Sequence, residues 1–317
     1  MKEIGGFFEL ELNRGEGYHT NAISLNLGRT SLEYILKARR IRRLYLPHYA
    51  CDALFEPLSR AVTEPVFYHI NEELEPVFEY GVPGKGDYFL YINYFGIKDR
   101  FVSRLASIIP GLIVDNSQAF FAVPVPGTDT FYSPRKFFGV PDGGYLYTDA
   151  ILDNELETDN SSGRFAHLVG RIEEGAGKSY PLFRDHEKHL SGQPLRRMSA
   201  ITGRLLQNIR YDEVIMARRR NFMQLAGSLG HKNQITIPDD PVAAPLAYPF
   251  LAPGNDLRRA LAKNRIYTAA YWPDVPHRVS PDSVESRLAE HLVPLPVDQR
   301  YGPGDIEFII KTVLRHV

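Results

Sequence analysis

The 317-residue chain holds a single cysteine, Cys51. One thiol excludes an intrachain disulfide and a multi-cysteine zinc site, and it suits a reducing compartment. Long apolar runs are missing as well. No segment approaches membrane-spanning length, and the opening MKEIGGFFELEL carries charges where a signal peptide needs an apolar block. The expectation is a cytosolic protein. Nor is there an excess of either charge: 37 Lys and Arg against 38 Asp and Glu give no reason to expect nucleic acid or an anionic membrane as the main partner. Internal repeats and low-complexity tracts are absent from the sequence.

What is present reads as alternating strands and helices, the pattern of helices packed over a mainly parallel sheet. The apolar runs RRLYLP (42–47), DYFLYIN (87–93) and GLIVDN (111–116) predict buried strands. After the loop carrying Gly28, Leu32, Ile35 and Leu36 recur at helical spacing, with Thr30 or Ser31 as the expected cap. Weak periodicity over 150–190 predicts a long irregular excursion. Residues 199–229 predict a long helix interrupted near Tyr211 and Asp212 and ended by Gly230. QITIP and LAYPFLA then read as strands, and NDLRRALAKNRI and DIEFIIKTVLRHV as helices. The length favours one large domain over 1–230 and a smaller C-terminal α/β domain over 231–317.

Three residues carry the candidate chemistry. Asp115 ends an apolar run, which puts a carboxylate at the carboxyl edge of a strand, where open α/β sheets assemble their ligand sites. Taken alone, such an aspartate caps a turn more often than it works. Gln118 follows in DNSQA, and Lys136 comes after a segment long enough for a return strand. Flanked by Pro134, Phe137 and Phe138, Lys136 is expected to have a desolvated amine, nucleophilic toward an aldehyde. Gly143 and Gly144 allow a tight turn and a close approach to a ligand.

DNSQA (115–119) and FYSPRKFFGVPDGGYLYT (131–148) resemble the Asp-x-x-Gln-Ala and lysine segments of the DegT/DnrJ/EryC1/StrS family of pyridoxal-phosphate enzymes. LGRTSL (27–32) is similar to that family's phosphate turn, YLPHYACDA (45–53) to its next strand, RRMSAI (196–201) to its Arg-Met-Ser element and LVPLPVDQ (292–299) to its C-terminal signature. The resemblance implies a fold-type-I α/β protein: a large three-layer α/β/α domain with a mainly parallel sheet and a smaller C-terminal domain. It implies pyridoxal 5'-phosphate as cofactor, bound covalently through Lys136, with Asp115 on the pyridine nitrogen, Gln118 on the phenolic oxygen, and Gly28, Arg29 and Thr30 at the phosphate. The implied reaction moves an amino group from an amino acid, typically glutamate, to a nucleotide-linked keto sugar, in a homodimer. Neither nucleic acid nor membrane is an implied partner, and no metal is expected.

The chain departs from the family pattern at three places. Phe131 replaces a phosphate-binding serine, leaving Ser133 to compensate. Cys51 stands at the position of the aromatic residue that stacks on the ring, so Tyr49 or His48 is expected to cover that face. Leu195 replaces an asparagine contributed across the subunit boundary. Elimination or dehydration on the same scaffold, or a non-catalytic binding protein, are the alternatives. RDHEKH (184–189) reads as a solvated segment ahead of a metal-binding one, ARRRN (217–221) as an exposed helix face ahead of part of an anionic substrate or phosphate site, and Trp272 as packing between domains or bordering the site.

Overall fold

A computed structural model describes residues 4–77, 86–238, 244–252 and 257–317. The chain enters through β1 (Ile23–Leu25), α1 (Gly28–Arg39), β2 (Arg43–Pro47), α2 (Phe55–Ala61), β3 (Glu64–Ile70), β4 (Pro76–Val77) and β5 (Tyr88–Ile92). It continues through α3 (Asp99–Ala106), β6 (Leu112–Asp115), β7 (Asp129–Tyr132), β8 (Gly144–Tyr147), α4 (Ala166–Glu173), α5 (Ala176–His189), α6 (Ala200–Gln207) and α7 (Tyr211–Leu229). The last elements are β9 (Ala247–Phe250), α8 (Leu257–Lys263), α9 (Val284–His291), β10 (Val293–Pro296) and α10 (Pro303–Leu314).

Among the described residues eight strands form one sheet in the order β1-β8-β7-β6-β5-β2-β3-β4. The pairs β2–β3, β2–β5, β5–β6 and β6–β7 are parallel, while β1, β4 and β8 pair antiparallel. Parallel strands covered on both faces need apolar side chains in both directions, and β6 (LIVD) is accordingly buried along its whole length. Each fully buried Leu, Ile or Phe contributes about 1.5–3 kcal/mol, so these runs specify the centre of the sheet. Strand order runs outward both ways from the β2–β5 pair, and such a reversal opens a crevice at the carboxyl ends of the strands. β9 and β10 form a separate antiparallel ribbon.

The three strands expected from the apolar runs are present, and the long helical stretch is broken as expected, with Ser199 capping α6 through the Thr202 N–H. Other expectations are overturned. The cap of α1 is Leu27, and the Thr30 hydroxyl accepts its N–H at 3.1 Å from within the first turn. QITIP forms no strand. The excursion over 150–190 contains the helices α4 and α5, joined at Gly175. Their contact is narrow and partly polar: the His167 and His186 rings stack at 4.1 Å, and a Cβ on Gly170 would lie 2.9 Å from Ser179 Oγ. A periodicity read from apolar residues has little to register there. Among the described residues no helix is long and apolar enough to cross a membrane.

Candidate active site

Asp115 closes β6 and is 5% exposed. Its carboxylate accepts the Ser117 N–H at 2.7 Å, a turn that folds the chain back over the strand end. Burial pushes the carboxyl above its ordinary value, while the charge of Lys136 and the hydrogen bonds from Ser117 pull it back. Gln118 is 1% exposed, and its Oε1 accepts the Phe95 N–H at 2.7 Å. Phe95, just beyond β5, lies in the left-handed region at φ 56°, which is costly for a residue with a side chain. The Gln118 bond holds that strained turn. It also leaves Gln118 Nε2 buried with no partner among the described residues.

Lys136 ends a short 3-10 turn over Pro134–Lys136. Its charge acts on Asp115. In place of the expected return strand, a strandless loop over 116–128 leads into β7, which runs parallel to β6, so the ends of both strands bring Asp115 and the lysine turn to one edge of the sheet. The expected aromatic shield is not around the amine. Lys136 is exposed, because Phe137 and Phe138 turn inward and join a cluster with Phe120, Tyr132 and Tyr145. Gly143 and Gly144 bring a neighbouring loop against this turn. Gly143 has φ 125°, and a Cβ there would lie 2.7 Å from Pro134, while one on Gly144 would collide with the Leu27 carbonyl. The close approach is therefore to the lysine turn and the start of α1.

Two residues beneath this turn were not among the sequence candidates. Arg218, placed by the sequence on an exposed face, is 1% exposed. Its guanidinium bonds Gln299 Oε1 at 3.0 Å and the Pro245 carbonyl at 3.0 Å, and lies 4.5 Å from the Phe137 ring centroid. Gln299 Nε2 donates to the Phe137 carbonyl at 3.0 Å. The residue after Lys136 is thus held from below by α7 and the C-terminal signature. Val214, Arg218, Phe222 and Leu225 share the buried stripe of α7, a spacing that already marks Arg218 as inward.

At the start of α1, a Cβ on Gly28 would lie 3.5 Å from Ser117 Oγ and 3.5 Å from Ser133 Cβ. Ser117 and Ser133 are each 7% exposed, so two hydroxyl side chains converge on a helix N-terminus, whose first N–H groups have no partner within the helix. Ser117, between two residues named from the sequence, was overlooked. The side chains of Arg29 and Thr30 are engaged elsewhere: Arg29 pairs with Glu56 at 3.0 Å, and the Thr30 hydroxyl donates to Asn26 Oδ1 at 2.7 Å. Phe131 is 1% exposed and fills the core, and Leu195 packs on the same core.

Tyr49 is fully buried, 4.5 Å from Trp272 and 5.7 Å from Tyr94 between ring centroids, with its hydroxyl unpartnered among the described residues. His48 turns away to stack on Phe67 at 5.0 Å, and lines a cavity of about 640 Å³ with Phe55 and Arg278. Cys51 is half-buried. His186 of RDHEKH is buried rather than solvated, while His189 is exposed. Among the described residues no group of three or more His, Cys, Asp and Glu side chains is placed to hold a metal ion.

The mainly parallel sheet with its flanking helices matches the fold class of the fold-type-I pyridoxal-phosphate transferases. Within that class the fold is similar to that of DegT/DnrJ/EryC1/StrS aminotransferases, the family the sequence motifs resemble. A member from Brucella abortus superposes with a TM-score of 0.63 at 16% identity, over 93% of this chain and 85% of that one. The sugar aminotransferase CalS13 from Micromonospora echinospora gives 0.65 at 16% identity, over 93% and 87%. Spr1654 from Streptococcus pneumoniae in a PLP form gives 0.64 at 14% identity, over 92% and 86%. No family model matches the sequence, and no curated protein matches it significantly.

Proposed function

We propose that the chain is a pyridoxal-phosphate-dependent aminotransferase that moves an amino group from an amino acid, glutamate in our reading, to a nucleotide-linked keto sugar. One observation carries this reading: a buried carboxylate at Asp115 lies three residues from a buried amide nitrogen at Gln118 that has no partner among the described residues. A cofactor of this kind would suit both groups: its protonated ring nitrogen would pair with Asp115, and its phenolic oxygen would accept from Gln118 Nε2, the orphaned donor. The space over Gly28, with Ser117 and Ser133 beside the helix N-terminus, suits the phosphate.

Bound pyridoxal phosphate supplies an electron sink for the charge left when an amino-acid C–H bond breaks. Lys136 Nζ would hold the cofactor through its aldehyde and, when free, would take and return the proton at the reacting carbon. Asp115 would keep the proton on the ring nitrogen, and a cation there would favour the ionised carboxylate that burial alone disfavours. Backbone N–H groups at the start of α1 would hold the phosphate, since the Arg29 guanidinium is paired with Glu56. The reading extends to a cytosolic homodimer with domains over 1–230 and 231–317.

Borohydride reduction of the cofactor-loaded protein and peptide mapping test the site: label on Lys136 is expected, and label on another lysine or none overturns it. Absorbance spectra before and after glutamate test the reaction. A shift to the pyridoxamine form is expected, and an unchanged spectrum removes glutamate as donor.

A further inference from the structure

The apolar run DYFLYIN ends on a buried polar residue, Asn93, one position past β5. β5, β6 and β7 lie side by side and parallel, with Ile92 opposite Asp115 and Asp115 opposite Phe131. Beyond these rows the regular ladder stops, and the buried backbone groups there need other partners. Two backbone bonds make the last rungs: the Asn93 N–H donates to the Asp115 carbonyl at 3.0 Å, and the Asn116 N–H to the Phe131 carbonyl at 2.8 Å.

Past those rungs the Asn93 side chain ties three segments together. Its oxygen accepts the Lys98 N–H at 3.0 Å, which turns its nitrogen the other way, to donate to Asp99 Oδ1 at 2.5 Å and to Asn116 Oδ1 at 3.0 Å. Its carbonyl accepts the Gly96 N–H at 3.2 Å and so closes the turn whose strained Phe95 is held by Gln118. Gly96 packs on the Gln118 backbone, where a Cβ would lie 2.8 Å from the carbonyl oxygen. An asparagine that only closed the turn over 93–98 would need its oxygen alone. The nitrogen, shared between Asp99 and Asn116, is what reaches the DNSQA segment.

We infer that Asn93 is a positioning residue of the candidate site: through Asn116 and the Phe95 turn it sets the Asp115 carboxylate and the Gln118 Nε2 donor at the spacing that the ring nitrogen and phenolic oxygen of one cofactor need. The inference rests on the pyridoxal-phosphate reading and names what holds its two ring-binding groups in register. Asn93 acts on those groups and not on the ring.

Asn93→Asp separates this role from closure of the turn. The carboxylate still accepts the Lys98 N–H, but it cannot donate to Asp99 or Asn116, and it sets a second negative charge against Asp99. Titration of the apo-protein with pyridoxal phosphate is expected to give a dissociation constant raised at least ~10-fold, with weaker induced circular dichroism of the bound ring. In Asn93→Asp/Asp99→Asn the donor and acceptor change places at constant charge, and Asn116 can turn its own nitrogen toward position 93. This double variant is expected to recover the dichroism, with affinity within ~3-fold of wild type. The near-ultraviolet spectrum of each apo-protein reports its fold. A folded Asn93→Asp protein with wild-type affinity and dichroism overturns the positioning role alone. So does a double variant that does not fold or does not recover, and it decides the matter where the single variant fails to fold. A wild-type protein that binds no pyridoxal phosphate defeats the cofactor reading and this inference with it.

Discussion

Gln118 does two jobs with one amide: its oxygen holds the strained Phe95 turn, and its nitrogen is left buried and unbonded among the described residues. An orphaned buried donor costs about 1–3 kcal/mol, a cost that a ligand acceptor would remove. Asp115 has a similar tension, with burial opposing its charge and Lys136 supporting it. Asp115→Asn is therefore expected to retain cofactor while slowing conversion by an active donor at least ~100-fold, since a neutral amide cannot hold the ring proton and ~2.7 kcal/mol or more of barrier returns. Stopped-flow absorbance measures this, and wild-type rates in the variant would refute the role. The placement of Asp115 and Lys136 at one sheet edge was legible because motif and spacing bring them forward. The exposure of Lys136 was not, since neighbouring phenylalanines in sequence say nothing of which way their rings turn.

At the scale of elements, the lysine turn is held by distant parts of the chain. Arg218 on α7 and Gln299 after β10 bond each other, and Gln299 holds the Phe137 carbonyl. Burial pulls the Arg218 guanidinium down to about 10, opposed by the Asp298 carboxylate, so its charge is retained at neutral pH. Arg218→Leu leaves the Pro245 and Leu246 carbonyls and Gln299 Oε1 without their donor. It is expected to cost about 3 kcal/mol in denaturant unfolding and to weaken cofactor binding, while Gln299→Glu keeps an acceptor for Arg218 but withdraws the donor to Phe137. Unchanged unfolding midpoints in Arg218→Leu would remove it as a support. Strong apolar periodicity made α1, α7 and the central strands readable. The α4–α5 hairpin escaped notice because its contact uses stacked imidazoles, a glycine and a serine.

For the whole molecule, acid is the expected weakness. His19 is 4% exposed among aromatic rings, with ring nitrogens 2.8 Å from the Phe120 carbonyl and 3.1 Å from the Tyr147 hydroxyl. Burial is the main cause that lowers it to about 4, partly opposed by the Phe120 carbonyl. The native state keeps His19 neutral, so the unfolded state binds more protons below pH 6.5. Its contribution is fully present above pH 6.5 and is lost as pH falls toward about 4, at most ~3 kcal/mol from this residue. Unfolding midpoints measured from pH 7 to 4 should decline more steeply in the wild type than in a His19→Gln variant. Parallel slopes would show that His19 does not carry the effect.

The sequence alone determined the alternation of elements, the centre of the sheet and the order Asp115, Gln118, Lys136 along the chain, because apolar period and local motif are properties of neighbouring residues. Only the tertiary structure decided what each side chain meets. It set Arg29 on Glu56, buried Arg218 under Phe137, brought Ser117 and Ser133 beside Gly28, and left Lys136 exposed with Arg135 bonded to Glu187. Ser117 and Ser133 lie 16 positions apart in the chain and Arg218 and Gln299 lie 81 apart, separations that only the packing of sheet and helices, and no local period, turns into contact.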